Sequence, residues 1–145
     1  MTHMPNIAEM LSKARECGDP NEFIEYIPYA KMLGVRVDKE RGCFHLPPKK
    51  SNIGNPTLPA LHGGALGGFM EMCGIIHVML SMDAVAVPKV VDFSIDYVRA
   101  GRYQDTFARC EIVRFGRKLV NLSVEAWQED EAKPIAKARA QMLVD

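Results

Sequence analysis

The sequence lacks charge imbalance, paired cysteines and repeats, and each absence removes a class of function. Its 18 lysines and arginines match 18 aspartates and glutamates. Bulk electrostatics therefore gives no pull toward nucleic acid or an acidic membrane surface, and neither is expected as a partner. The four cysteines, Cys17, Cys43, Cys73 and Cys110, form no C-x-x-C pair. They read as reduced thiols with no metal site. The opening MTHMPNIAEM has no basic start followed by an apolar core, so no secretion signal is read there and a cytoplasmic location is expected. No internal repeat or low-complexity tract interrupts the 145 residues, and 48% hydrophobic content is enough for one real core.

Long apolar runs are also scarce, and the single one present organises the chain. It lies in Asn55 to Leu80, NPTLPALHGGALGGFMEMCGIIHVML. Pro56 and Pro59 mark a loop that delivers His62, Gly63 and Gly64 to a helix whose one strongly charged residue is Glu71. A helix apolar on nearly every face is expected inside protein. A membrane span is disfavoured by the central Glu71 and the later His77. Gly64, Gly67, Gly68, Glu71 and Gly74 recur at spacings of three or four, placing the acid on a stripe of glycines. Glycine costs about 1 kcal/mol at each interior helix position. Several on one face imply that another group approaches, whether a packed helix or a ligand. A carboxylate in such surroundings is expected to be buried, and is costly unless paired or functional.

Before this segment, Ile7, Met10, Leu11 and Ala14 have helical spacing, closed by Gly18, Asp19 and Pro20. A second short helix is predicted from Asn21, ending before Pro28. Residues 1–30 are thus read as an N-terminal helical extension and 31–145 as the main domain. Lys31 to Val37 and Gly42 to Leu46 read as a hairpin, and residues 47–54 as loop. After the helix the period becomes two. Val91, Phe93, Ile95 and Tyr97 alternate with Asp92, Ser94 and Asp96. Thr106 to Ile112, Val120 to Ala126 and Ala136 to Val144 continue the pattern across short turns. Successive strands are expected to pair antiparallel, giving a curved sheet of about six strands wrapped around one long central helix, an α+β fold.

This order of elements, the H-G-G at the helix start, the acid nine positions after the histidine and the strand VDFSIDYVRA resemble the hotdog-fold acyl-CoA thioesterases, phenylacetyl-CoA thioesterase-like branch. The likeness covers roughly residues 32–144. It implies a thioester hydrolase that releases a free carboxylic acid and CoA with no metal or redox cofactor. By the resemblance, the Gly63 N–H polarises the thioester carbonyl, Glu71 attacks it or activates water, and His62 fixes the loop. Gly64 lines the substrate, and the hairpin Gly116, Arg117 and Lys118 meets the CoA nucleotide. Relatives commonly carry an asparagine six positions before the histidine and a serine or threonine early in the following strand. Here those positions are Pro56, with Asn55 one step earlier, and Val90. Asn55 and Val90 are carried as substrate-binding positions on that basis.

Spacing adds an inference of its own. Gly63 and Glu71 are eight positions apart, about 12 Å along a helix. One chain's Glu71 cannot readily serve a carbonyl held at its own helix start. Two copies with antiparallel helices would bring each acid to the other's glycine, so a homodimer is expected, or a dimer of dimers as the resemblance also implies. His77 is expected to be a satisfied core histidine and Cys73 a small core residue. Two other readings stand beside the hydrolase. One is a non-catalytic acyl-CoA-binding protein, which Val90 favours, and the other is a dehydratase acting on hydroxyacyl thioesters, for which the expected histidine-plus-acid pattern is missing.

Overall fold

The computed structural model describes residues 6–55, 57 and 59–145. Helix α1 (Ile7–Cys17) begins at Asn6, whose side chain accepts from the Glu9 N–H at 2.9 Å, and ends at Gly18 in the left-handed region. A short α2 (Asn21–Ile24) follows as expected. The expected strand from Lys31 is instead a third helix, α3 (Pro28–Leu33), opened by Pro28 in its first turn and closed by Gly34 at φ 91°. Leu33, Val35 and Val37 satisfy period two in the sequence, but the proline and glycine set the backbone. Only β1 (Arg36–Asp38) and β2 (Cys43–Leu46) remain as the hairpin.

Residues 47–54 hold more structure than the expected loop. A 3-10 turn, Lys50–Asn52, leads into β3 (Ile53–Asn55), which pairs with β4 (Ala60–Leu61) as a separate ribbon. Then come the long helix α4 (Gly63–Ser81) and strands β5 (Lys89–Tyr97), β6 (Thr106–Phe115), β7 (Leu119–Trp127) and β8 (Ala136–Leu143). The main sheet has six antiparallel strands in the order β1-β2-β6-β7-β8-β5. The expectation that each strand pairs with its successor fails at one place. β5 pairs with β8, and residues 98–105 carry the chain across the sheet to β6, which lies between β2 and β7. That connection is tied to the ribbon through Leu61 N–H to the Gly101 carbonyl, 2.9 Å.

The sheet curves around α4. Ala136, Ala138, Ala140 and Met142 face inward on β8, while Lys137, Arg139 and Gln141 face out. The small inner residues let the helix come close. Leu66, Phe69, Met70, Cys73 and Ile76 of α4 join Leu122, Val124 and Met142 in the main core. α1 closes the other side, with Met10, Leu11 and Ala14 packed on Met79. The helix Gly63–Ser81 is apolar and long enough to cross a membrane by composition. In this fold about 50% of that span is buried, against the sheet and the N-terminal helices. β5 borders the sheet, hydrogen-bonded along one side only.

Candidate functional site

The start of α4 is held by bonds from four directions. His62 is its N-cap, with Nδ1 accepting from the Gly64 N–H at 2.9 Å. Because Nδ1 accepts, the ring proton in this arrangement sits on Nε2. The His62 N–H donates to the Asn52 carbonyl at 2.7 Å, and the His62 carbonyl accepts from the Leu66 N–H at 3.0 Å. Asn52, buried and polar, donates its side-chain amide to the Leu33 carbonyl at 2.9 Å. It thereby ties the end of α3 to the start of α4. The Gly63 carbonyl accepts from the Tyr97 hydroxyl at 2.6 Å. The Gly63 N–H has no acceptor among the described residues, as the first turn of a helix leaves its donors unpaired.

Glu71 follows Gly63 and Gly67 on one stripe. A Cβ on Gly63 would lie 3.5 Å from the Tyr97 hydroxyl, and one on Gly67 3.3 Å from it and 4.0 Å from Ile95. The stripe therefore runs beside β5, in the direction opposite to that strand. Gly63 and Gly64 are exposed, and Gly67, Gly68 and Glu71 half-buried, whereas Leu66, Phe69, Met70 and Cys73 are buried. The acid was expected to be buried. It is not fully so, because the face of α4 between β5 and α3 is left open within one chain. Among the described residues the Glu71 carboxylate has no hydrogen-bond or ion-pair partner. A cleft of about 300 Å³, lined by Gly63, Leu66, Tyr97, Arg99 and Ala100, opens at this helix start. Arg99 and Ala100 also border a neighbouring cleft of about 550 Å³ with Arg102, Gln128 and Lys133.

The other predicted positions separate into those near this centre and those away from it. The Gly64 N–H is occupied by His62, so it is not a free donor to a ligand. Asn55 ends β3, its backbone paired with Ala60, and its side chain lies outside the described structure. Val90 is half-buried and packs on the main core. It presents no hydrogen-bonding group. A register shift between Val90 and Asp92 turns Val91 outward, against the expected alternation. Gly116 shapes its hairpin, where a Cβ would sit 2.8 Å from the Leu119 carbonyl oxygen. Arg117 and Lys118 are exposed at that hairpin. They stand at the end of the sheet where Val120 pairs with Met142 and Met142 with Val90. Gly63 stands at the Tyr97 end, about 23 Å away at roughly 3.3 Å per strand residue. One chain does not bring the two together.

His77 is half-buried and burial pushes its pKa down. It was expected to be satisfied, but among the described residues its ring has no hydrogen-bond partner, and the Ser81 hydroxyl donates to its backbone carbonyl at 2.7 Å. Burial holds the Cys73 thiol well above its usual range, so no thiolate stands beside Glu71. No group of three His, Cys, Asp or Glu among the described residues has the geometry to hold a metal ion. The residues missed in the sequence are Tyr97, read only as one inward residue of a strand, and Asn52, read as loop. Gln128 was missed as well. Its side chain accepts from the Arg102 N–H at 3.0 Å and donates to the Arg102 carbonyl at 2.9 Å, fixing the turn beside the clefts. No spacing in the sequence links either end of these pairs.

Known proteins are similar to this chain in sequence and fold. Over 138 residues the chain is 25% identical to the medium/long-chain acyl-CoA thioesterase YigI of Escherichia coli K12, covering 84% of this chain and 88% of that one. A solved Chromobacterium violaceum protein is 39% identical and covers 93% of this chain and 96% of its own, with a TM-score of 0.74. A Bacillus halodurans protein solved with CoA is 18% identical over 94% of this chain and 84% of that one, with a TM-score of 0.67. The sequence profile of the thioesterase superfamily matches residues 58–135, a span that contains α4, β5, β6 and β7 and stops just before β8. With that match spanning more than half of the chain and the hotdog architecture around it, the chain belongs to the thioesterase superfamily.

Proposed function

We propose that this protein hydrolyses acyl-CoA thioesters to a free carboxylic acid and CoA, as a homodimer with two composite sites. The observation that carries the reading is the pairing of a free Gly63 N–H with an unpartnered Glu71 on the open face of α4. Developing negative charge on the thioester oxygen is stabilised by an N–H at a helix start, an effect of about 3 kcal/mol for a well-aimed donor. Glu71 takes the proton of a water that attacks the carbonyl carbon, or attacks it directly to form, as the sulfur leaves, a mixed anhydride that water then hydrolyses to the free acid. In either route the carbon–sulfur bond breaks and the CoA thiolate leaves, to be protonated to the thiol. CoA in the Bacillus halodurans neighbour and the acyl-CoA activity of the Escherichia coli relative support the substrate class.

The dimer follows from the eight-residue offset, about 12 Å along α4, and from the free edge of β5. Antiparallel pairing of two β5 edges places the Tyr97 end of one chain against the Lys89 end of the other. Gly63 then approaches the partner's Glu71 and the partner's hairpin of Gly116, Arg117 and Lys118. This accounts for a hairpin that is remote within one chain yet basic at its tip, where arginine and lysine suit phosphates.

The test is thiol release from a panel of short, medium, long and aromatic acyl-CoAs, with wild type and Glu71→Gln. Wild type is expected to turn over, and the variant to lose activity by roughly 10²-fold or more. Full activity in Glu71→Gln sinks the mechanism. One observation favours a second reading, a non-catalytic acyl-CoA binder. Val90 packs on the core where a hydroxyl would assist the water. Tight binding of a CoA ester with no hydrolysis over hours supports that reading instead.

A further inference from the structure

The three successive peptide groups that begin α4 are all held, with one donor left over. The Leu61–His62 group is held by its N–H on the Asn52 carbonyl at 2.7 Å, and the His62–Gly63 group by its carbonyl under the Leu66 N–H at 3.0 Å. The Gly63–Gly64 group is held at both ends, its N–H by His62 Nδ1 at 2.9 Å and its carbonyl by the Tyr97 hydroxyl at 2.6 Å. The unengaged donor is the Gly63 N–H itself. A glycine has the widest choice of φ and ψ, so its N–H direction is set by whatever fixes the peptides on either side.

We infer that Tyr97 is the positioning residue that aims the Gly63 N–H, through its hydrogen bond to the Gly63 carbonyl. The inference rests on the thioesterase reading above and adds a residue to it. The Gly63 carbonyl has two lone pairs, of which the helix uses one for the N–H of the residue four positions on. Tyr97 takes the other from outside the helix. It does so from the last residue of β5, and therefore couples the helix start to the sheet edge. The glycines are what allow it. A Cβ on Gly67 would come within 3.3 Å of the phenol oxygen, tighter than ordinary contact, so a side chain there would press on the ring in its seat, while one on Gly63 at 3.5 Å would just touch it. Tyr97 does not meet the reacting carbonyl through this bond. It acts on the donor's direction.

Tyr97 is half-exposed, so Tyr97→Phe removes the hydroxyl with little risk to the fold. Two measurements decide the matter. In the first, kcat and KM for the best acyl-CoA are compared between wild type and Tyr97→Phe, with the oligomer size of both checked by light scattering. On the order of a tenfold fall in kcat with KM within twofold is expected, the size of one well-placed hydrogen bond felt in the transition state. In the second, amide resonances and hydrogen exchange of glycine-labelled protein are read at Gly63 and Gly64. A shift at Gly63 and faster exchange at Gly64 are expected. The inference is overturned by unchanged kcat, by a KM effect alone, or by lost kcat with both amides as in wild type. If wild type hydrolyses no acyl-CoA, the thioesterase reading fails by itself. The amide measurement then decides whether Tyr97 holds the helix start, and unshifted amides refute it.

Discussion

The hydroxyl of Tyr29, on α3, occupies the space that a Cβ on Gly68 would fill. Gly68 lies one helical turn before Glu71, so the N-terminal helices reach the open face of α4 at the level of the acid. Yet Tyr29 is half-exposed and yields at its far end. Gly74 differs, because a Cβ there would stand 3.1 Å from both Leu122 and Met142, which are almost fully buried. Gly68→Ala is expected to leave stability unchanged or raise it by up to about 1 kcal/mol through helix propensity. Gly74→Ala is expected to lose about 1 kcal/mol net, overpacking outweighing the same propensity gain. Urea midpoints of the two variants check the contrast.

The C-terminal end of α4 is closed from α1. Arg15 Nη2 donates to the Met79 carbonyl at 2.6 Å and the Ala84 carbonyl at 2.9 Å, and Nε to the Met79 carbonyl at 3.2 Å. A guanidinium on the last carbonyls of a helix satisfies orphan acceptors and meets the negative end of the dipole. Arg15→Met, which keeps most of the apolar stem, is expected to cost about 1–2 kcal/mol in equilibrium unfolding.

His77 gives stability a slope in mild acid. Burial lowers its pKa in the folded state, so below about 6.5 the unfolded chain binds the proton more readily than the folded one. The contribution is fully present above that pH and is lost as pH falls toward the folded-state value. Melting temperatures between pH 7.5 and 5 are expected to decline, and His77→Gln to flatten part of that decline. An identical slope in the variant contradicts the assignment.

Thiol chemistry should separate the four cysteines. Cys17 is exposed, Cys43 and Cys73 are buried, and burial pushes Cys110 up to about 12. A disulfide reagent at pH 8 is expected to titrate one thiol per native chain quickly and all four after denaturation. Cys17→Ser should remove the fast phase, which also clears the background of a thiol-release assay.

Legibility in the sequence followed the range of the interactions. Local patterns sufficed for α1, where Asn6 caps and Gly18 ends the helix, and for β7 and β8, where period two matches the inward faces. They failed at α3, since Leu33, Val35 and Val37 fit a strand until Pro28 and Gly34 are given their backbone angles. They failed again at β5, because pairing with β8 rather than β6 depends on how residues 98–105 cross the sheet. The His62, Gly63 and Glu71 frame was legible because it lies within nine positions on one helix. Tyr97 was not, since its partner is 34 residues away.

What the sequence by itself determined is that one apolar helix carries a glycine stripe and a single acid, set eight positions after Gly63 and so about 12 Å along the helix from it. Periodicity and rise per residue are enough for that. Tertiary structure alone decided which face of the helix stays open, that β5 is left at the sheet edge beside it, and that a tyrosine from that edge grips the Gly63 carbonyl. Those are contacts between segments far apart in the chain. Their cause is close packing around α4, which no local pattern encodes.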